Sequence, residues 1–267
     1  MIVRCPAWAV IFAGTLVLFL IAMASELLAS NPRLLPELIA LGAFAVPVSF
    51  VALAHDVLPG CGLPTRAIVT CFVAGGVIGT AAASLLEYDV LRDFDVLPTL
   101  LVGAIEEPAK LVVPLIALAA GTHRRTADGL LLGVAAGMGF AAFETMGYAL
   151  GALAGPHGSV RDCEDVLLLR GVLAPCGHPA WTGSVCAALW WTRSRERAPR
   201  AALVAPATFL AALLLHAGWD AVDAPLGLTA IGVTSIGLLL GWLVVARREL
   251  QAPAAGLRVA EGLPRAA

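Results

Sequence analysis

Residues 103–115, with the sequence GAIEEPAKLVVPL, place ionisable side chains inside an apolar run that is long enough to cross a bilayer. These side chains are Glu106, Glu107 and Lys110. A charged side chain at the centre of a bilayer costs about 2.5–3.5 kcal/mol on insertion scales. The segment is therefore a poor membrane span unless its charges face a protected interior, where polar groups of other helices can pair with them.

The composition of the chain is that of a polytopic membrane protein. Of its 267 residues, 60% are hydrophobic and 13% are charged, and the mean hydropathy is +0.89. Soluble domains carry about 25% charged residues. The net charge of -2 gives no support for nucleic-acid binding. These values predict that the chain lies in a lipid bilayer.

Hydropathy predicts an all-α bundle of about eight transmembrane helices. The predicted spans are 7–28, 36–54, 66–86, 96–120, 129–153, 166–190, 201–222 and 227–246. We expect a single transmembrane domain over residues 1–250, with a core at 96–222 that carries the motifs described below, and a short disordered cytoplasmic tail at 251–267. The first span can also be interpreted as a signal peptide that ends near Ala22-Met23-Ala24, but its length favours an uncleaved helix.

The distribution of arginines predicts the orientation of the bundle. With eight spans, both termini and the even-numbered loops lie on one side, which holds twelve arginines. The opposite side holds Arg33, Arg92 and Arg161. Because short cytoplasmic loops are enriched in basic residues, both termini are predicted to be cytoplasmic.

Ionisable residues recur in three later spans at similar depths. They are Glu144, His178, and His216 with Asp220. At 1.5 Å per residue, Glu106 and Glu144 both lie roughly 15 Å from the outer ends of their spans, and His178 lies roughly 18 Å from its outer end. Such groups could be structural ion pairs or interhelical hydrogen-bond donors. Their convergence in the outer half of the membrane instead favours one functional site.

Helical spacing predicts local partners for several of these groups. Lys110 follows Glu106 by four residues and Glu107 by three, so the lysine can pair with a carboxylate of its own helix. His216 and Asp220 are also four residues apart, and Asp220 could therefore orient the imidazole. The predicted ion pairs would offset part of the cost of burying these charges.

Prolines and a glycine interrupt two of the predicted helices near these groups. Pro108 removes a helical hydrogen bond and can open the helix beside the two glutamates. Pro175, Gly177 and Pro179 surround His178. This pattern predicts a helix that is kinked or broken at the histidine.

Carboxylates and imidazoles inside a bilayer can hold and activate a water molecule. A glutamate could act as general base, with a histidine donating to the oxyanion or to the leaving amine. Alternatively, two histidines and one or two glutamates could bind zinc, which would activate the water. The candidate metal ligands are Glu107, Glu144, His178 and His216. Because neither GxSxG nor HExxH occurs in the sequence, a serine nucleophile or a helix-borne zincin motif is not indicated.

Two other classes of function are compatible with buried ionisable groups. Glutamate and histidine chains also serve as proton relays, so a proton- or ion-coupled transporter is the main alternative to a hydrolase. A transporter should show inverted repeats, and none is clear in this sequence. A catalytically silent scaffold is the third class, and the complete set of chemical groups is evidence against it.

Four motifs, each in its own predicted helix, resemble those of the PrsW family of intramembrane proteases. The motifs are EEPAK for EExxK, Phe140 and Glu144 for FxxxE, His178 in PxxH, and His216 with Asp220 for HxxxD. That family belongs to the same superfamily as the CAAX prenyl endopeptidases. The CAAX branch usually has histidine at the position of Glu144 and arginine at that of Lys110, which argues against processing of prenylated proteins here.

The resemblance implies an intramembrane endopeptidase of a bacterial-type plasma membrane. Its substrate would be a single-span membrane protein, such as an anti-sigma factor, cleaved near the extracytoplasmic side. The implied site residues are Glu106 or Glu107 as the base, with Glu144, His178 and His216, and with Lys110, Asp220 and Phe140 in supporting positions. The cofactor implied is either zinc or none.

Overall fold

The computed structural model describes residues 5–29, 31–93, 98–121, 123–195 and 198–252, which form nine α-helices and no strand. The helices are α1 (Ala7–Ala29), α2 (Leu35–Asp56), α3 (Thr65–Asp93), α4 (Pro98–Ala120), α5 (Thr126–Ala154), α6 (Val160–Leu173), α7 (His178–Arg193), α8 (Val204–Ala221) and α9 (Pro225–Gln251). The predicted all-α fold is confirmed. Most of the predicted disordered tail lies outside the described residues.

Six helical segments of the described chain are long and apolar enough to cross a membrane. They contain α1, α2, α5, α8 and α9, and the part of α3 from Thr65 to Leu86. Helix α4 is not among these segments, because Glu106, Glu107 and Lys110 near its centre give it too many charged residues. Helices α6 and α7 are too short, with 14 and 16 residues. The prediction of an all-α, multi-pass membrane bundle is therefore confirmed, with six candidate spans among the described residues.

The predicted span at 166–190 is two helices joined at the site. Helix α6 is followed by a 3-10 turn at Ala174–Cys176 and then by Gly177, and α7 begins at His178. Pro175 lies in the 3-10 turn, and Pro179 lies in the first turn of α7, where its missing N–H has no cost. The predicted break at His178 is present, and the prolines on both sides of the histidine account for it.

The other predicted opening, in α4 beside Pro108, is absent. Helix α4 continues without interruption past both Pro108 and Pro114. Each proline removes a single backbone hydrogen bond, and the bonds on either side keep the helix continuous. The glutamates before Pro108 are therefore held on a regular helix, which fixes the direction of each side chain.

Helix α5 forms the centre of the bundle, and every residue from 126 to 142 is buried. It packs against α3 on one side and α7 on the other. Glycines make this close packing possible. A Cβ on Gly133 would lie 2.6 Å from the Cβ of Cys186 in α7, and a Cβ on Gly139 would lie 1.9 Å from the carbonyl oxygen of Phe72 in α3. Small residues of this kind allow helix backbones to approach closely.

The helices that carry the predicted site residues are neighbours in the bundle. Helix α4 packs against α3, α5 and α8, while α7 packs against α5, α8 and α9. Helix α6 lies against α2 and α5. The side chains of α4, α5, α7 and α8 can therefore meet between these helices.

We predict that Gly139→Ala will destabilise the bundle, because the added methyl group overlaps the backbone of α3. Overpacking of a core costs roughly 1–3 kcal/mol, and contact with rigid backbone places this variant at the upper end. Thermal unfolding in detergent measures the effect. The control is Gly147→Ala in the same helix, where a Cβ would have no neighbour within 4 Å. Equal unfolding temperatures for the two variants would contradict this packing of α5 on α3.

Candidate active site

Lys110 is fully buried and joins three of the predicted site residues. Its Nζ atom lies 2.8 Å from Glu107 Oε1, 3.1 Å from Glu106 Oε2 and 2.7 Å from His178 Nδ1. It also lies 4.5 Å from the centre of the Phe140 ring, a distance typical of a cation–π contact. A buried ammonium group needs such partners to offset its lost hydration. Lys110 thereby ties α4 to α7, and it forms the ion pairs that the spacing predicts.

Glu107 fixes the orientation of His216. Its Oε1 atom lies 2.8 Å from His216 Nδ1, and because a carboxylate only accepts, Nδ1 carries the proton of this bond and the lone pair of a neutral imidazole would be on Nε2. Trp181 stacks on the imidazole at 4.7 Å, and its own Nε1–H donates to Ser235 Oγ at 2.8 Å. The predicted orienting partner, Asp220, lies 3.4 Å from Nε2 instead. Glu107, from another helix, takes the orienting position that the spacing had suggested for Asp220.

Glu144 fixes the orientation of His178 in the same way. Its Oε2 atom lies 3.0 Å from His178 Nε2, so the proton lies on Nε2 and the lone pair is on Nδ1. Arg170 of α6 forms an ion pair with the same carboxylate oxygen, and its Nε–H donates to Thr145 Oγ1 at 3.0 Å. The guanidinium group also lies 4.3 Å from the centre of the Tyr148 ring. Glu144 is thus held between an arginine and the histidine.

Glu106 has a buried carboxylate oxygen that lacks a hydrogen-bond partner among the described residues. This Oε2 atom lies 3.4 Å from His216 Nε2 and 4.0 Å from His178 Nδ1, the imidazole nitrogens that do not face Glu107 and Glu144. The Lys110 ammonium group lies 3.1 Å from it without the geometry of a hydrogen bond, and donates to His178 Nδ1 at 2.7 Å. Because a buried carboxylate oxygen that accepts no hydrogen bond is costly, this oxygen favours an additional cation or donor.

Glu106, His178 and His216 form a set of possible metal ligands, with ligand atoms within 4.8 Å of one another. Two histidines and one glutamate are a donor set that catalytic zinc uses. Metal-binding histidines also donate their other N–H to a carboxylate or carbonyl group, as both imidazoles do here. The donor set therefore fits a divalent metal ion, which would replace the Lys110 ammonium group as the partner of His178 Nδ1. The set differs from the sequence-based candidates, because Glu107 and Glu144 orient the histidines and Glu106 lies beside the remaining ring nitrogens.

The charges of the cluster also favour a bound cation. Within the described part of the chain, the cluster contains four carboxylates and two cationic groups, namely Glu106, Glu107, Glu144 and Asp220 with Lys110 and Arg170. Neutral histidines leave a formal charge of two negative units. Uncompensated charge inside a membrane protein is costly. One divalent cation would neutralise the cluster.

A cavity of 1140 Å³ gives access to one side of the cluster. Glu106, Glu144 and Asp220 line it, together with Phe140 and Tyr148, whereas Glu107 is not among its lining residues. The side chain of Glu107 is only 1% exposed, while that of Asp220 is 32% exposed. Of the adjacent glutamates, Glu106 is therefore the one that a substrate can approach.

Two residues of the cluster, Arg170 and Trp181, are not among the predicted site residues. Arg170 could have been suspected, because it is a charged residue at the edge of the apolar run 166–190. Trp181 follows His178 by one helical turn, but its stacking partner His216 lies on another helix. No spacing in the sequence distinguishes this tryptophan from one that only fills the core.

We predict that Arg170→Gln will weaken the binding of Zn²⁺ by roughly 10–100-fold, because Glu144 loses the partner that holds it against His178. The measurement is a titration of the full chain in detergent against a chelator of known affinity. Arg33→Gln is the matched control, since Arg33 is an exposed residue in the 3-10 turn before α2. If the two variants bind Zn²⁺ equally well, Arg170 does not support the site.

The comparisons with known proteins agree with this geometry. Residues 63–256 match a protein family that is described as PrsW family intramembrane metalloprotease. No curated protein and no solved structure matches the chain. The matched segment covers more than half of the chain and includes all of α4 to α8, which carry the cluster. The resemblance drawn from the four motifs is thereby confirmed, and the chain belongs to the PrsW family of intramembrane proteases.

Proposed function

We propose that this chain is a metal-dependent endopeptidase that hydrolyses a peptide bond of a membrane-anchored, single-span protein near the extracytoplasmic side. One observation carries the proposal beyond the family. A buried carboxylate oxygen of Glu106, without a hydrogen-bond partner among the described residues, lies beside the ring nitrogens of His178 and His216, and the three residues form a set of possible metal ligands. The same glutamate lines a cavity of 1140 Å³ that can admit a substrate.

Glu106, His178 and His216 would hold the metal ion. When it is bound, a divalent ion acts as a Lewis acid that activates water and polarises the scissile carbonyl group. Zn²⁺ suits this donor set best, because it is commonly bound by imidazole nitrogen and carboxylate oxygen in hydrolases. The alternative of a glutamate acting without a metal would leave the negative charge of the cluster to be compensated by protonated histidines.

Glu107 and Glu144 are positioning residues in this proposal. Glu107 is sealed from the cavity and holds His216 through Nδ1–H, while its ion pair with Lys110 fixes it in place. Glu144 holds His178 through Nε2–H. Both imidazoles are thus oriented before any substrate binds, which lowers the cost of forming the reactive arrangement.

Asp220 is the residue best placed to accept a proton from water and to pass it to the leaving amine. It lines the cavity and lies 3.4 Å from His216 Nε2. The other lining acids are engaged, because Glu144 pairs with Arg170 and Glu106 faces the histidines. A carboxylate at the edge of a hydrolytic site can serve as general base and then as general acid.

The substrate would be a membrane protein with one transmembrane segment, and an anti-sigma factor is the example that the family suggests. The predicted orientation places the cluster in the outer half of the membrane. Cleavage there would release an extracytoplasmic domain from its membrane anchor. A released domain of this kind suits signalling across the membrane.

We predict that Glu106→Gln will abolish cleavage, because an amide removes the negative charge beside the two imidazoles that would help to hold the metal ion. The measurement compares the membrane proteomes of cells that carry the wild-type chain and cells that carry the variant. A single-span protein that is trimmed in the wild type should accumulate at full length in the variant. Glu37→Gln, which changes an exposed acid in the first turn of α2, is the control and should behave as wild type.

Cleavage at the wild-type rate by Glu106→Gln, with a substrate in hand, would contradict the assignment of the site. If no single-span protein changes between the strains under several stresses, the proposed proteolysis of such substrates is itself contradicted. Thermal unfolding of the purified variant shows whether a loss of cleavage comes from the site or from the fold.

A further inference from the structure

One face of α5 extends the site along the cavity wall. Phe140, Glu144, Gly147, Tyr148 and Gly151 all line the cavity, and they recur at three- and four-residue spacing along the helix. The facing wall is formed by residues of α3 and α4, including Ala81, Ser84, Thr99 and Val102. The cavity therefore continues from Glu106 toward the C-terminal end of α5.

Gly147 and Gly151 differ from the other glycines of α5. A Cβ on Gly129, Gly133 or Gly139 would collide with a neighbouring helix, whereas a Cβ on Gly147 or Gly151 would have no neighbour within 4 Å. Both are exposed. Glycine in a helix costs about 1 kcal/mol relative to alanine. Nothing in the described part of the chain makes use of the small size of this α5 glycine pair.

The spacing of the α5 glycine pair is suited to another helix. Two glycines four residues apart let the backbones of transmembrane helices come close together. A lipid acyl chain could pack equally well against larger apolar side chains, so it gives no reason for glycine at both positions. The pair therefore favours a polypeptide as the occupant of this wall.

The occupant is identified by the position of the pair beside the reactive groups. Gly147 lies one helical turn beyond Glu144, and the same cavity is lined by Glu106, whose buried Oε2 atom lacks a hydrogen-bond partner among the described residues. A bound helix that packs on the pair would place the polypeptide that continues from its end next to Glu106. A second copy of this protein would have no reason to approach the reactive groups.

We propose that the α5 glycine pair is the docking surface for the transmembrane helix of the substrate. The class of substrate that it favours is a single-span protein with glycine, alanine or serine at two positions four residues apart. This inference rests on the proposed function, because the occupant is the substrate of the site. It adds a specificity element, Gly147 with Gly151, that does not take part in the chemistry.

The test uses two synthetic single-span peptides with lysine-flanked, leucine-rich segments. One peptide has glycine at two positions four residues apart, and the other has leucine at both. Energy transfer between the labelled full chain and each labelled peptide, in phosphatidylcholine vesicles, gives the dissociation constants. The wild-type chain should bind the glycine peptide about tenfold more tightly than the leucine peptide.

The double variant Gly147→Leu, Gly151→Leu should lose this preference, and Gly14→Leu should keep it. Gly14 is the matched control, since a Cβ there also has no neighbour within 4 Å and it lies on α1, away from the cavity. Thermal unfolding checks that the double variant folds. The preference of the wild-type chain between the two peptides tests the proposal even if the double variant does not fold.

Equal binding of the two peptides to the wild-type chain would overturn the proposal, as would a preference that survives in the folded double variant. Energy transfer between two copies of the chain that the double variant abolishes would also overturn it, because the occupant would then be a second copy. Binding needs no cleavage. A negative result here therefore leaves the proposed proteolysis standing, and the proteome comparison decides that question separately.

Discussion

The buried ion pair between Lys110 and Glu107 is the interaction on which the rest of the site depends. Neither side chain has access to water, so each must find all of its partners within the bundle. Lys110 reaches His178 at the start of α7, and Glu107 reaches His216 on α8. The charges of one helix thereby fix the relative positions of three helices. The low dielectric that makes them costly also makes these contacts strong.

The same requirement leaves one carboxylate oxygen without a hydrogen-bond donor in the part of the chain that the structure describes. Lys110 pairs with Glu107, and Arg170 with His178 satisfies Glu144. Glu106 also pairs with Lys110, but its Oε2 atom accepts no hydrogen bond, and a cavity opens beside this residue. A buried cluster with more carboxylates than cationic groups is suited to binding a cation. This arrangement links the energetics of the fold to the chemistry of the family.

Much of the fold could be predicted from the sequence, because its determinants are local. Long apolar runs predicted the helices, and the prolines around His178 predicted the break that separates α6 from α7. Counting residues along antiparallel spans predicted that Glu106, Glu144, His178 and His216 share one site, and their side chains do form one cluster. The motifs predicted the family, and membership of that family favours proteolysis over the transporter alternative.

The rest depends on how the helices rotate against one another, which the sequence does not encode locally. Adjacent residues such as Glu106 and Glu107 point about 100° apart on a helix, but only the packed bundle shows that Glu107 is sealed and Glu106 reaches the cavity. Asp220 shares a helical face with His216, yet Glu107 from α4 takes the orienting position. The contact of Arg170 with Glu144 likewise joins two helices, so no spacing within one helix could predict it.

The most direct test of the account is to locate the metal ion in an experimental structure of the zinc-loaded chain. Anomalous scattering at the zinc absorption edge would place the ion without reference to activity. The account predicts one peak bounded by Glu106, His178 and His216, with Glu107 and Glu144 hydrogen-bonded to the far nitrogens of the two imidazoles. A peak ligated by Glu107 or Glu144, or no peak in this cluster at saturating zinc, would contradict it.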